Sequence, residues 1–164
     1  MKRILLLVTL ALMLAAAMAL SGVAQAASPS ARCQAEAESL GISGSYNFIA
    51  GKNNKRGDDF TSKATEGADV FCGFGGNDYI ETLGADDYFI GGDGIDWADI
   101  NFGTFYGGAG EDGVLANYGT FYGQADADEV LNNYGTFDGG EGSDGIRINW
   151  TGGILISVEV QLPL

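Results

Sequence analysis

A six-residue phrase recurs in this chain at a fixed spacing, and that spacing constrains the fold more than any other feature. Residues 91–96, 107–112 and 139–144 all read Gly-Gly-x-Gly-x-Asp, and residues 123–128 hold a degraded copy in the same 16-residue frame. Self-similarity at a fixed period indicates identical units that stack along an axis. The sequence therefore predicts an all-β solenoid of stacked coils.

A nine-residue period precedes the longer one. From residue 64 each unit carries Asp at its sixth place, at Asp69, Asp78, Asp87 and Asp96, and steps of 16 then lead to Asp112, Asp128 and Asp144. Two units make an 18-residue coil, so Asp78 and Asp96 are expected to stack on one edge of the solenoid and Asp69 and Asp87 on the other. The later Asp residues continue the Asp78 edge if each coil shortens to 16 residues.

The nine-residue pattern resembles the repeat G-G-x-G-x-D-x-U-x, with U a large apolar residue, of the hemolysin-type calcium-binding (RTX) family. The resemblance covers residues 64–99 and continues in altered form to about residue 148. It implies a parallel β-roll in which each repeat supplies a turn and a short strand. It also implies Ca²⁺ as the cofactor, held between the turns of successive coils.

By the same resemblance, turn carbonyl oxygens and Asp carboxylates would supply the six to eight oxygen ligands that calcium takes. Asp69 and Asp87 are candidates for one site on the second edge, and the copy around Asp128 departs from the motif at Gln124 and Asp126. The candidate ligands on the first edge are Gly76, Asp78, Gly94, Asp96, Gly110, Asp112, Asp128, Gly142 and Asp144.

The second edge changes after residue 99. Residues 101–103, 117–119 and 133–135 read Asn-aromatic-Gly where the Asp turn would recur. Asn and Gly both tolerate left-handed backbone angles, so we expect a metal-free tight turn there and a one-sided calcium ladder. The core is expected from inward-facing Val114, Val130 and Ile146 and from stacked Phe105, Phe121 and Phe137, about 4.8 Å apart.

The chain ends lack the period. Residues 1–26 combine a basic start, an apolar run and small residues at 24–26, which indicates a secretory signal peptide; an uncleaved membrane anchor is the alternative. We expect a secreted, extracellular protein, with or without attachment to the cell surface. Residues 27–63 are interpreted as an N-terminal cap with a helix over 31–40 and a strand over 46–50, residues 64–153 as the β-roll, and residues 154–164 as a C-terminal capping strand.

The chain has two cysteines, Cys33 and Cys72. An even count in an exported protein predicts a disulfide, which would join the cap to the first coil. Two buried free thiols are the alternative.

The net charge is −14, and removal of Lys2 and Arg3 with the leader would change it to −16. Nucleic acid and anionic membranes need positive charge, so neither is an expected partner, and no membrane insertion is expected after cleavage. Calcium ions are the expected partners, and the sequence does not identify any cell-surface or matrix partner. The chain has no His, which excludes Ser-His and Cys-His catalysis, and we do not expect an enzyme.

Two alternatives remain. A metal-free β-solenoid would recognise ice or a glycan through polar ladders on its surface. A polysaccharide-active enzyme is disfavoured because turn positions account for nearly all the carboxylates and Arg147 is the only basic residue in the repeats. The polar ladders would be Asn101, Asn117, Asn133 and Asn149, and Thr104, Thr120 and Thr136.

Overall fold

The computed structural model describes residues 27–52 and 56–161, which form one short helix and thirteen strands. The predicted leader, residues 1–26, lies outside the described residues. So do residues 53–55 of the predicted cap, which include Lys55, and residues 162–164 of the predicted capping strand, which include Leu162. The elements are α1 (Pro29–Ser39), β1 (Asn47–Ala50), β2 (Asp69–Gly75), β3 (Tyr79–Leu83), β4 (Tyr88–Asp93), β5 (Trp97–Asn101), β6 (Thr104–Ala109), β7 (Gly113–Asn117), β8 (Thr120–Ala125), β9 (Glu129–Asn133), β10 (Thr136–Glu141), β11 (Gly145–Asn149), β12 (Ile154–Ile156) and β13 (Val160–Gln161).

The strands form two parallel sheets that the chain visits alternately. The first sheet has the order β1-β2-β4-β6-β8-β10-β12, and the second has the order β3-β5-β7-β9-β11-β13. Every strand of the repeats therefore pairs with the strand two positions along the chain, one coil further on. This arrangement is a β-solenoid of about 5 turns with 16-residue spacing, and the predicted fold is confirmed.

The core lies between the two sheets and is built from residues in register. The first sheet contributes a column of buried Phe side chains; Phe105 stacks on Phe121 with 4.8 Å between ring centroids, and Phe121 on Phe137 with 5.2 Å. The second sheet contributes the buried side chains of Val114 and Val130. The predicted inward-facing positions are confirmed. The column is possible because parallel pairing places equivalent residues of successive coils side by side.

The coil shortens at one edge. Four residues separate β3 from β4, whereas two separate β5 from β6. We call this edge, with Asn101, Asn117 and Asn133, the asparagine edge. The opposite edge, whose turns contain Asp78 to Asp144, is the aspartate edge, and its turn length does not change there. The shift from 18 to 16 residues therefore leaves the aspartate turns stacked, as the spacing predicted.

The N-terminal segment packs against the first coils. Ser28 caps α1 by accepting a hydrogen bond from the Ala31 N–H through its hydroxyl oxygen, and β1 extends the first sheet beside β2. Cys33 of α1 and Cys72 of β2 are joined by a disulfide with an S–S distance of 2.07 Å, so that prediction is confirmed and the free-thiol alternative is wrong. The helix and the strand lie where the sequence predicted them.

The C-terminal segment is two short strands. β12 pairs with β10 in the first sheet and β13 pairs with β11 in the second, so residues 154–161 wind most of one further coil. Leu155 lies in register with Phe137 at the end of the Phe column and is exposed. Within the described residues, no helix has the length and apolar character needed to cross a membrane.

Candidate metal centre: the aspartate column

Five Asp side chains of the aspartate edge point into the solenoid and are at most 2% exposed: Asp78, Asp96, Asp112, Asp128 and Asp144. We call them the aspartate column. The backbone N–H of each of the first four donates a hydrogen bond to the Oδ1 atom of the Asp one coil further on. The N···Oδ1 distances are 2.6 Å for Asp78 to Asp96, 2.7 Å for Asp96 to Asp112, 2.8 Å for Asp112 to Asp128 and 2.9 Å for Asp128 to Asp144.

The glycines of the motif make room for this column. A Cβ atom added at Gly73, the first residue of its turn, would collide with Asp78 Oδ2 and lie 2.5 Å from the carbonyl oxygen of Gly91. The second and fourth places adopt left-handed angles, as at Gly92 (φ 108°) and Gly94 (φ 136°). Glycine adopts such angles without steric penalty. The motif therefore encodes a tight turn that holds a buried carboxylate.

The degraded copy keeps the parts that the buried carboxylate needs. Gly123 and Asp128 are retained, while Gln124 (φ 81°) and Asp126 (φ 75°) occupy the left-handed second and fourth places. Asp126 Oδ2 accepts a hydrogen bond of 3.1 Å from the Gly110 N–H, so its side chain lies over the neighbouring turn. The Asp128 rung of the column is complete despite the altered motif.

The second oxygen of every carboxylate in the column has no hydrogen-bond donor among the described residues. These Oδ2 atoms are fully buried. Each lies beside the first glycine of its own turn, where an added Cβ would collide with it. The carbonyl oxygen of the equivalent residue one coil further on lies close to the same Cβ position. A Cβ at that point would be 2.6 Å from the Gly107 oxygen in the Asp96 turn and 2.8 Å from the Gly123 oxygen in the Asp112 turn. A buried carboxylate oxygen without a donor thus lies near a main-chain carbonyl oxygen, which is unfavourable unless a positive charge or a proton is supplied.

The electrostatics agree with this geometry. Burial raises the pKa of Asp78 to about 6, of Asp96 to about 7, of Asp112 to about 8 and of Asp128 to about 7, and it raises the pKa of Asp144 as well. The N–H donor at each Oδ1 acts in the opposite direction, and the charges of neighbouring carboxylates add to the rise. Without a cation, the column resists full ionisation near neutral pH.

Asp69 and Asp87, the candidates on the other edge, differ from the column because their oxygens have donors. Asp69 accepts hydrogen bonds from the Thr65 hydroxyl (2.7 Å), the Thr65 N–H (2.6 Å) and the Asn47 side chain (3.0 Å). Asp87 accepts from the Asp69 N–H (2.9 Å) and the Gly84 N–H (3.2 Å). Neither carboxylate has an orphaned buried oxygen, so this pair offers less to a cation.

The asparagine edge also carries a buried column, but its amides donate to one another along the axis, and only Asn101 Oδ1, at the start of the column, lacks a donor among the described residues. Asn117 Nδ2 donates to Asn133 Oδ1 and to the Thr136 carbonyl, both at 2.8 Å, and Asn117 Oδ1 accepts from Asn101. The expected left-handed turn is wrong: Asn101, Asn117 and Asn133 lack positive φ angles, as do the glycines that follow. Gly119 is needed because a Cβ there would collide with the carbonyl oxygen of Gly103.

Sequence reasoning missed two acidic residues that extend the column. The Asp58 N–H donates to Asp78 Oδ1 (2.6 Å), and the Asp144 N–H donates to Glu159 Oε2 (3.0 Å). Asp58 lies 20 residues before Asp78 and Glu159 lies 15 after Asp144, so neither falls in the 16- or 18-residue frame. An acidic residue close to one coil length beyond each end of the repeat was the available signal.

The candidate glycine ligands lie in the same turns, each at the fourth place of its motif: Gly76, Gly94, Gly110 and Gly142. These turns stack closely: a Cβ at Gly94 would collide with the Gly76 carbonyl oxygen. No group of three or more His, Cys, Asp or Glu side chains converges as a metal site within residues 27–52 and 56–161. A cation in the column would therefore be held by carboxylate and main-chain carbonyl oxygens together, a ligand set that suits calcium.

Comparison with protein-family models, with curated proteins and with solved structures finds no match to this chain. The function is therefore argued from the geometry of the aspartate column and from the repeat motif.

Proposed function

We propose that this chain is a secreted calcium-binding repeat protein of the RTX type, in which the aspartate column holds Ca²⁺. The observation that carries the proposal is the row of five buried Oδ2 atoms, each without a donor and each facing a main-chain carbonyl oxygen. A cation would neutralise the carboxylates and satisfy both kinds of acceptor at once.

The donor set favours calcium over other common metals. Zinc and copper sites use Cys thiolates or His imidazoles, but this chain has no His and both cysteines form the disulfide. Calcium takes carboxylate and carbonyl oxygens in flexible geometry, and magnesium demands a stricter octahedron. We expect affinities in the weak extracellular class, roughly 10⁻⁴ to 10⁻³ M per site.

An extracellular location supports this affinity class. The leader pattern of residues 1–26 and the Cys33–Cys72 disulfide are both typical of exported proteins. A structural, adhesive or envelope role would suit a calcium-loaded solenoid.

The second candidate is a metal-free recognition module. Its support is an exposed column of stacked aromatic rings next to the asparagine ladder, with centroids 4.6 to 5.4 Å apart. Such a column offers apolar ring edges and a polar phenol rim to a glycan. In this case the aspartate column would be neutral because its carboxylates hold protons. The rings are Phe102, Tyr118, Tyr134 and Trp150.

Calorimetric titration of calcium into the metal-stripped protein, repeated with Asp112→Asn, separates the two candidates. The amide keeps the shape of a protonated carboxyl: Oδ1 still accepts from the Asp96 N–H, and Nδ2 can donate toward the Gly123 carbonyl. The calcium proposal expects saturable binding that weakens at least tenfold at the sites flanking the amide. Glu111→Gln, on the exposed neighbouring residue, is the charge-matched control and leaves binding unchanged. Absence of calcium binding to the unaltered protein overturns the proposal.

A further inference from the structure

We propose that Glu159 completes a fifth calcium site at the C-terminal end of the aspartate column, and that the Lys52 N–H and the Lys63 ammonium together make a cation unnecessary at the N-terminal end. The inference rests on the proposed function and adds residues that the repeat motif does not contain. It fixes the number of calcium sites in the column at five, one for each Asp with an orphaned Oδ2 atom.

At the C-terminal end, Glu159 repeats the contact that links the other rungs. Its Oε2 atom accepts the hydrogen bond of 3.0 Å from the Asp144 N–H, as the next Asp Oδ1 does elsewhere in the column. Asp144 is 0% exposed, and its Oδ2 has no donor among the described residues. The Oδ2 atom of Asp144 therefore lacks a hydrogen-bond donor, as the Oδ2 atoms of the four preceding Asp residues do.

The carbonyl oxygen of this last rung comes from Ser157. A Cβ at Gly139 would collide with Asp144 Oδ2 and lie 2.5 Å from the Ser157 carbonyl oxygen, which is where the first glycine of a further turn would place its own. Glu159 follows Ser157 by two residues, whereas Asp follows the first glycine by five in the repeats. The extra methylene of Glu lets a shorter turn bring a carboxylate to the same place.

The N-terminal end is closed in the opposite way. Asp58 Oδ2 accepts a hydrogen bond of 2.6 Å from the Lys52 N–H, and Asp58 Oδ1 lies 4.0 Å from the Lys63 ammonium. Both oxygens of Asp58 thus have a positive or donor partner, unlike those of the column. The Lys52 N–H meets the oxygen that has no donor in the column, and the Lys63 ammonium offsets the charge of Asp58, so Asp58 needs no metal.

The test is the calcium count per chain, measured by native mass spectrometry and by calorimetry on the full protein. We expect five ions on the unaltered protein and four on Glu159→Gln, with the count of Glu141→Gln, an exposed acid of the last full coil, staying at five. Binding by the unaltered protein with no loss in Glu159→Gln overturns the inference and leaves the proposed function standing. No binding at all overturns the proposed function itself.

A folding control keeps the result interpretable. If Glu159→Gln does not fold in calcium, the count on the unaltered protein decides. Five ions support the inference, four indicate that Glu159 adds no site, and six indicate that Asp58 binds metal despite Lys63. Lys63→Met gives the complementary reading: the Lys52 N–H still donates to Asp58 Oδ2, so the count is expected to stay at five, whereas a rise to six contradicts the closure described for this end.

Discussion

Each edge of this solenoid buries a column of polar side chains with the same period. The two columns differ in where their buried side chains find hydrogen-bond partners. Along the asparagine column each Nδ2 donates to the next Oδ1, so Asn117 and Asn133 both donate and accept, and within the described residues only Asn101 Oδ1, at the start of the column, lacks a donor. An ionised carboxylate only accepts, so the aspartate column borrows main-chain N–H groups for Oδ1 and leaves Oδ2 without a donor. In this fold a ladder of amides therefore supplies its own hydrogen-bond donors along the axis, whereas a ladder of carboxylates needs bound protons or cations.

The largest expected effect is on the pH dependence of the metal-free protein. Burial raises the pKa of the first four column residues to between about 6 and about 8, above the ordinary value for Asp, and it raises the pKa of Asp144 as well. A raised folded-state pKa stabilises the protein at acid pH, and that stability is lost as pH rises through the folded pKa. In chelator, the free energy of unfolding should therefore fall steeply between pH 5 and pH 8.

Calcium should flatten that profile, because it replaces the protons. Denaturant unfolding followed by circular dichroism at pH 5 and at pH 8, with calcium and with chelator, measures the difference. The Asp112→Asn variant in chelator is expected to lose part of the pH dependence. A metal-free protein that is equally stable at both pH values would show that the column is not the source of the difference between the edges.

A substitution that converts one column into the other should have the next largest effect. Asn117→Asp removes two donated hydrogen bonds and places an unpaired charge among buried amides. We expect the free energy of unfolding in calcium to fall by about 3–5 kcal/mol, as for other uncompensated buried charges. Asn132→Asp, on the neighbouring strand β9 but with an exposed side-chain bond, is the control and should cost about 0.5 kcal/mol. Full rescue of Asn117→Asp by excess calcium would mean that the edges are equivalent.

A smaller effect is expected from the first glycine of a turn. Gly107→Ala brings a Cβ against Asp112 Oδ2 and to 2.8 Å from the Gly123 carbonyl oxygen, at a residue without a left-handed angle. Overpacking of this kind costs about 1–3 kcal/mol, and calcium affinity should fall with it. Gly67→Ala meets only the ends of the Asn47 and Thr65 side chains and serves as control. Equal calcium affinity in the two variants would separate the cradle from metal binding.

The sequence predicted the parts of the fold that depend on spacing. The change from steps of nine to steps of 16 correctly predicted that Asp78 to Asp144 stack on one edge, because parallel coils place equivalent residues in register. The period also predicted the Phe column, and the even number of cysteines predicted the disulfide. Period and composition carry this information without any knowledge of side-chain contacts.

What the sequence did not reveal depends on atomic contacts. The 16-residue period placed Asn117 in an Asn ladder, but the sequence did not show that its side chain is buried there and bonded along the axis, and the left-handed turn predicted at these residues is wrong. The donors that satisfy Asp69 and Asp87 come from Thr65 and Asn47, which lie outside the motif. Asp58 and Glu159 were hidden because the turns that place them differ in length from the repeat.

The most direct test of the central claim is the far-ultraviolet circular dichroism of the purified protein at pH 8, first in chelator and then in millimolar calcium. We expect a weak β signal in chelator, a strong β signal in calcium, and reversal when chelator is added again, because the five carboxylates with a donorless Oδ2 atom cannot remain buried and ionised without a cation. The same strong β signal and the same thermal midpoint in both solutions would contradict the account and favour a metal-free solenoid.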